Sequence, residues 1–320
     1  MTLTNQIQIN NKKILSNTND NLLDVLLNNN IDINHACKTG NCQSCLIKCT
    51  QGEVPQASQK GLKSTLKAQN YLLACQCKIQ SDMTLSLKEI DGLKVTTKVT
   101  EIKRISDNLI ILILALPANF HYAPGQSLIL WKNKTQGRNY SIANVSTDGT
   151  IELHIKKYPT GIVTPWIFNK LNISDPIEIQ GPCGRCFYTK SQVPLLLIGN
   201  GTGLSPLIGI IRQAIKEQHS QKIHLIHYAR ENSQIYYQEE INLLCKQHKN
   251  ITYEPLIKDE PSHKTLVDIA KTKIIENKSH NIYLAGSDGL INLLRKQLYI
   301  AGASLSAIYS DAFIPRDVKK

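Results

Sequence analysis

Three cysteines, Cys37, Cys42 and Cys45, stand in a C-x4-C-x2-C run, and Cys75 follows after 29 intervening residues. Four thiolates at that spacing suit a 2Fe-2S cluster. Three thiolates within nine residues wrap two irons only where the chain bends sharply, and Gly40 supplies the backbone freedom for it. Backbone N–H groups of such a loop would offset the negative charge of the cluster. A structural zinc site is the alternative these residues leave open, although zinc more often uses paired CxxC knuckles with a shorter gap. Cys49 and Cys77 lie off the spacing and read as buried small hydrophobes.

A second group is the glycine-rich run Gly199-Asn200-Gly201-Thr202-Gly203-Leu204-Ser205-Pro206, which joins an apolar strand to a helix. It lacks the G-x-G-x-x-G spacing with a following acid, so the dinucleotide fingerprint is not met, and a plain tight turn remains the other reading. Cys183 and Cys186 form a CxxC with no second pair at zinc spacing, which makes coincidence the better account. His154, His224 and His227 show no metal spacing and read as satisfied core or surface residues.

The elements that must position these groups fall into three textures. Residues 3–16 read as two short strands around Asn10-Asn11-Lys12. A short amphipathic helix follows over Asn21 to Asn29, behind a capping Asp20. The polar stretch from Lys88 to Lys94 reads as a linker. From Val95 to about Tyr188, short strands broken by Pro and Gly predict an antiparallel barrel or sandwich, with one helix over Thr164 to Leu171 as its cap. After Pro194 the pattern alternates: strands Leu195–Ile198, Ile223–His227 and Asn281–Leu284, with helices Leu204–Gln218 and Glu239–His248. Alternation of this kind predicts a parallel sheet with crossovers.

A chain of 320 residues exceeds one ordinary core, and 42% hydrophobic with 19% charged residues excludes a disordered chain. The longest apolar run, Leu109 to Leu116, ends at Pro117 and falls short of the roughly 20 residues a bilayer demands, so no membrane insertion is expected. Met1 to Asn11 alternates polar and apolar residues without an h-region, which predicts a cytoplasmic protein. The net charge of +12 invites a nucleic-acid reading. Its distribution does not support one: residues 1–92 hold nine Lys/Arg and seven Asp/Glu, the remainder 28 and 18, scattered singly. A solvated basic surface or a face for an acidic partner accounts for it.

Residues 1–92 resemble plant-type ferredoxins through His35-Ala36-Cys37-Lys38-Thr39-Gly40-Asn41-Cys42-Gln43-Ser44-Cys45 and Leu72-Leu73-Ala74-Cys75-Gln76, with Gln43 where the family often has a small residue. Arg138-Asn139-Tyr140-Ser141, arriving after Pro124-Gly125-Gln126, resembles the R-x-Y-S motif of the ferredoxin-NADP reductase family, whose barrel binds FAD. The resemblance implies Arg138 on a flavin phosphate, Tyr140 along the ring or ribityl, and Ser141 near flavin N5. Gly161-Ile162-Val163-Thr164 is similar to the family's segment at the start of the capping helix, where N–H groups, the helix dipole and the Thr164 hydroxyl would meet the pyrophosphate. Gly181-Pro182-Cys183-Gly184 resembles the G-P-x-G turn ahead of the third domain.

Within the glycine-rich run, Gly201, Thr202, Gly203 and Pro206 match the family's G-T-G-x-x-P loop for NAD(P)H, with Asn200 where a small residue is commoner. Tyr283-Leu284-Ala285-Gly286-Ser287 is similar to the nicotinamide segment C-G-x-P, with alanine in place of cysteine. Tyr309-Ser310-Asp311-Ala312-Phe313 resembles the terminal D-A-F of bacterial flavin and glucoseen reductases, where the aromatic lies against the flavin. Arg230 would accept a 2′-phosphate and Glu231 a free 2′-hydroxyl, with NADH favoured.

Together these resemblances imply an iron-sulfur flavoprotein reductase. Its parts would be a β-grasp ferredoxin domain (1–92), an antiparallel FAD barrel (93–190) and a parallel-sheet α/β nicotinamide domain (191–320). Such a protein moves a hydride from NAD(P)H to FAD and single electrons through the 2Fe-2S cluster to a partner protein, an oxygenase or dehydratase component. The terminal D-A-F tilts the reading toward the glucoseen-reductase-like group. No acid–base triad is required; Ser141 and Phe313 are the residues expected at the reacting centre. The departures at Gln43, Asn200 and Ala285 motivate the alternative, a redox sensor or binding module that keeps the fold without turnover.

Overall fold

The computed structural model describes residues 4–9, 11–258, 264–276 and 279–314, arranged around three sheets. Leu3 and Asn10, part of the expected first hairpin, lie outside the described residues.

The first sheet has the order β2-β1-β5-β3-β4, from β1 (Thr4–Ile9), β2 (Lys12–Asn17), β3 (Leu46–Gln51), β4 (Tyr71–Leu73) and β5 (Met83–Ser86). β1 runs antiparallel to β2 and parallel to β5, the mixed pairing of a β-grasp. Helix α1 (Leu22–Asn28) lays Leu22, Leu23 and Leu26 on this sheet. Its N-cap is Asn21, a correction to the expected Asp20: Asn21 Oδ1 accepts from the Leu23 and Asp24 amides at 3.1 and 3.4 Å. The Asp20 carboxylate instead closes the preceding turn, accepting from the Asn17 amide at 2.9 Å. Asn21 also donates to the Cys75 carbonyl at 3.0 Å, so the cap ties the helix to the fourth cysteine. A short helix, α2 (Ser64–Ala68), precedes β4. The stretch read as a linker forms a 3-10 turn over Lys88–Leu93 that runs directly into β6.

The second sheet is antiparallel throughout, in the order β10-β7-β6-β11-β8-β9, from β6 (Lys94–Ser106), β7 (Leu109–Ala115), β8 (Ser127–Trp131), β9 (Gly137–Ser141), β10 (Thr150–Lys156) and β11 (Pro176–Cys183). A bridge between Ile142 and Leu153 joins its two ends into a barrel, and α3 (Val163–Lys170) caps it with Val163, Ile167 and Phe168 buried. Strand β8 is buried on both faces, which is why its sequence is apolar without alternation. Leu128 and Leu130 enter the barrel core, while Ile129 and Trp131 enter the core of the first sheet, so one strand serves two cores.

The third sheet is parallel, in the order β14-β13-β12-β15-β16, from β12 (Leu195–Asn200), β13 (Ile223–Ala229), β14 (Ile251–Ile257), β15 (Asn281–Ser287) and β16 (Ile308–Phe313). Its helices are α4 (Leu204–Lys216), α5 (Gln238–Gln247), α6 (Lys264–Glu276) and α7 (Asp288–Ile300). Helix α4 stops two residues short of the expected Gln218 because Gln218 itself adopts a left-handed φ of 56°. The last strand, β16, was not legible as one, since Ser310 and Asp311 interrupt its apolar pattern. Among the described residues no helix is long and apolar enough to cross a membrane.

Candidate functional site

The cysteine loop leads from α1 to β3. Gly40 has φ of 84°, and a Cβ there would stand 2.9 Å from the Gln76 side chain, so both the bend and the close approach demand glycine. The sulfurs form two pairs. Cys37 Sγ accepts from the Thr39 and Cys42 amides at 3.4 and 3.3 Å, the Cys37 amide reaches Cys42 Sγ at 3.4 Å, and the Cys75 amide reaches Cys45 Sγ at 3.5 Å. A hydrogen bond from the Cys42 thiol pulls the Cys37 thiol down to about 5, and one from Cys45 pulls Cys75 down to about 7. Two pairs of thiols with N–H donors aimed at sulfur fit two irons carrying two thiolates each. A single zinc needs four ligands at one point, and among the described residues no three His, Cys, Asp or Glu side chains converge on one ion. Cys49 and Cys77 are buried, as are Cys183 and Cys186. Burial pushes the thiols of Cys77 and Cys183 up to about 12, and such thiols are inert.

Beside this loop opens a cleft of about 200 Å³. It brings together Cys42 of the cysteine loop; Arg138, Tyr140 and Ser141 of β9; Gly161, Val163 and Thr164 at the start of α3; Thr202; and Phe313 at the end of β16. Gly201, Gly203, Pro206, Gly286 and Arg230 do not line it, and Cys37, Cys45 and Cys75 stand outside it. Gly203 instead packs against β15, with its hypothetical Cβ only 2.1 Å from the Ala285 carbonyl oxygen. That contact explains the glycine. Pro206 is buried in the first turn of α4. Arg230 and Glu231 are exposed just past β13.

Two observations test the cleft for a flavin dinucleotide. The Tyr140 hydroxyl is buried with no hydrogen-bond partner, a cost the fold bears unless a bound group supplies one. The first turn of α3 carries no side-chain cap, leaving N–H groups for anionic oxygens. The residues present therefore fit FAD, with Arg138, Tyr140, Ser141 and the α3 N-terminus as the groups that would hold it. The Thr164 hydroxyl is used differently from the expectation: it accepts from the Tyr158 amide at 3.0 Å and donates to the Tyr158 carbonyl at 3.3 Å, shaping the loop.

Sequence reasoning missed the polar ties that join the second sheet to the third. Ser141 Oγ donates to Asp311 Oδ2 at 2.6 Å, and Ser205 Oγ donates to the Ser141 carbonyl at 2.8 Å. Burial raises the Asp311 carboxyl to about 6, against the pull of the Ser141 hydrogen bond. Farther back, Glu152 accepts from Arg212 at 3.1 Å and from the Tyr237 hydroxyl at 3.1 Å, and meets His154 at 2.9 Å. His154 in turn meets the Tyr236 hydroxyl at 2.8 Å. Burial alone would push the Glu152 carboxyl up, but His154 and Arg212 together hold it at about 2. His227 Nε2 lies 3.2 Å from the Gly201 carbonyl, and burial lowers its value to about 4, so the ring is neutral and donates there. His154 and His224 are bonded at both ring nitrogens, whereas the buried Nδ1 of His227 has no partner among the described residues.

Comparison with known proteins agrees with this geometry. Residues 6–80 match the family model described as a 2Fe-2S iron-sulfur cluster binding domain, 96–188 the oxidoreductase FAD-binding domain, and 197–296 the oxidoreductase NAD-binding domain. The chain is 31% identical over 308 residues to the CDP-6-deoxy-L-threo-D-glycero-4-hexulose-3-dehydrase reductase of Yersinia pestis, covering 92% of this chain and 93% of that one. It is 28% identical over 321 residues to the reductase component of the naphthalene 1,2-dioxygenase system of Pseudomonas putida, covering 97% and 98%. Among solved structures, the ferredoxin reductase in carbazole 1,9a-dioxygenase shares the fold with a TM-score of 0.65 at 24% identity, covering 98% of this chain and 99% of that one. FAD held by Arg138, Tyr140 and Ser141 would supply hydride acceptance from NAD(P)H and the release of single electrons toward a cluster held by the cysteine loop. With its cluster loop, flavin cleft and nucleotide domain in one chain, the protein belongs to the family of NAD(P)H-dependent iron-sulfur flavoprotein reductases.

Proposed function

We propose that this chain carries electrons from NADH to a separate acceptor protein, an oxygenase or dehydratase component, and that it works in the cytoplasm. The observation that carries this reading is the shared cleft: Cys42, a cluster ligand in this reading, and Ser141 with Asp311 line one space. A donor site for two electrons and an exit for one electron are thereby placed side by side. Domain limits of 1–92, 93–190 and 191–320 accompany the proposal. In it, Arg138, Tyr140, Ser141, Gly161, Val163 and Thr164 hold FAD. Gly201, Thr202, Gly203, Pro206, Arg230 and Gly286 serve the nicotinamide nucleotide, and Phe313 covers the flavin. Cys37, Cys42, Cys45 and Cys75 ligate the cluster.

The relatives suggest the acceptor classes, since one is the reductase of a deoxyhexulose dehydrase and another the reductase component of a dioxygenase system. The test is an anaerobic absorbance titration with NADH and then NADPH, following the flavin band and the longer-wavelength cluster band separately. Bleaching of both bands, with NADH acting at lower concentration, is the expected outcome. A protein whose bands ignore both nucleotides is a sensor or binding module and not a reductase.

A further inference from the structure

The middle residue of the flavin motif, Asn139, carries no role in the reading above. It stands on β9 between Arg138 and Tyr140, paired across the ladder with Ile129. Its side chain uses both ends of the amide on the cysteine loop: Nδ2 donates to the Cys42 carbonyl at 3.0 Å, and Oδ1 accepts from the Ser44 hydroxyl. One side chain on the flavin-motif strand thus grips the loop on either side of Gln43, directly at a cluster ligand. Ser44 is buried at 6% exposure, and its hydroxyl is shared between Asn139 and the Cys42 sulfur.

The module is docked independently of that grip. Ile129 and Trp131 from β8 enter the core of the first sheet, and Lys94 sits 4.3 Å from the centre of the Trp131 ring while pairing with Asp91 at 2.7 Å. The apolar contact holds the module on the barrel, but it does not fix the position of the loop, which bends through left-handed residues at Lys38, Gly40 and Gln43. Such a loop is held by its hydrogen bonds, and two of them go to Asn139.

We propose that Asn139 is a positioning residue for the flavin-to-cluster step, holding Cys42 and Ser44 against the flavin strand and so setting the rate of electron transfer between the two centres. The step is simple in its balance: one electron leaves the reduced flavin, the oxidised cluster gains it, and no bond forms or breaks. Tunnelling falls off exponentially with separation, so a loop that is free to move loses rate without any change in driving force. The inference rests on the reductase reading.

The test uses the full holoprotein and its Asn139→Leu and Ser44→Ala variants. After anaerobic mixing with NADH, the ratio of the cluster-bleaching rate to the flavin-bleaching rate is expected to fall about tenfold or more in Asn139→Leu, the scale of a small misplacement. Ser44→Ala, which keeps the bond to the Cys42 carbonyl, is expected to fall less. Hydrogen exchange of the amides over residues 41–45, measured on the oxidised protein, should quicken in the same order, while the cluster reduction potential of Asn139→Leu stays at the wild-type value. A wild-type rate ratio in Asn139→Leu overturns the proposal, and so does a slowed ratio matched by a shifted potential, which would make the effect one of driving force. If Asn139→Leu does not load its cofactors, Asn139→Ala, which removes the same two bonds, decides by the same criteria. Failure of NADH to bleach the wild-type protein is a different result: it removes the reductase reading itself.

Discussion

Ser141 Oγ lies 2.6 Å from Asp311 Oδ2, joining the end of β9 to the edge strand of the nucleotide sheet across 170 residues of sequence. Burial holds that carboxyl at about 6. When ionised, it accepts the proton of Ser141 and keeps that proton engaged. Once protonated, it can donate to Ser141 instead, and the serine proton is released to face the cleft. The protonated form prevails below its folded value. Flavin bleaching by NADH is therefore expected to be fastest below about pH 6 and to fall above it, by roughly tenfold. Asp311→Asn, which donates at every pH, should flatten the profile. A profile unchanged by the substitution would remove the pair from the reaction. Stopped-flow absorbance across pH 5 to about 8 makes the measurement.

Cys42 is the cysteine that lines the flavin cleft, and it shares a sulfur pair with Cys37. Cys42→Ser is expected to abolish NADH-driven reduction of cytochrome c through the cluster while NADH-driven reduction of a small dye at the flavin continues. Equal loss of both would contradict the order of the two centres. Iron and acid-labile sulfide assays on the variant show whether the cluster itself was lost, which separates a missing carrier from a damaged flavin site.

What the sequence disclosed follows from how local each signal is. The cysteine loop was legible because its chemistry lies within nine residues and Gly40 marks the bend. The antiparallel barrel and the parallel sheet were legible from their turn and crossover rhythm. Asp311 was visible only as one letter of a terminal D-A-F; its partner Ser141 sits on another sheet, and no periodicity links the two. The Ser205 hydroxyl serves the Ser141 carbonyl of another sheet, and Trp131 of the barrel fills the core of the first sheet; neither contact has a local sequence signal. The cap at Asn21 was misread because Asp20 and Asn21 are both good capping residues, and the choice depended on the Cys75 carbonyl far along the chain. Contacts made between domains leave no period in either partner.

Gly203 shows how tightly the nucleotide loop rests on its neighbour. A methyl group at this position would meet the Ala285 carbonyl oxygen at 2.1 Å, its carbon at 2.5 Å and the Gly286 amide nitrogen at 2.9 Å, all of them backbone atoms of β15. No side-chain rotation relieves that overlap, so the loop or the strand must shift. Gly203→Ala is expected to cost about 1–3 kcal/mol of stability and to raise the KM for NADH, with the absorbance of the purified protein still showing flavin and cluster. A variant with wild-type melting temperature and KM would mean that the loop sits farther from β15 in solution.

The final prediction concerns the ion cluster that locks the barrel to the nucleotide domain. Glu152 holds Arg212, Tyr237 and His154 at once, and its carboxyl is depressed from 4.5 to about 2. A depressed folded value means that the stabilisation is fully present above the unfolded value and is lost as pH falls toward 2. The shift corresponds to about 3 kcal/mol. Glu152→Gln removes the charge and leaves the Arg212 guanidinium with the Ala143 carbonyl and the Tyr237 hydroxyl as its partners. The variant should therefore melt well below the parent at neutral pH, and the two melting temperatures should converge as the pH drops from about 4.5 to about 2. A gap that stays constant over that window would show that packing at this position, and not the carboxylate charge, joins the two domains.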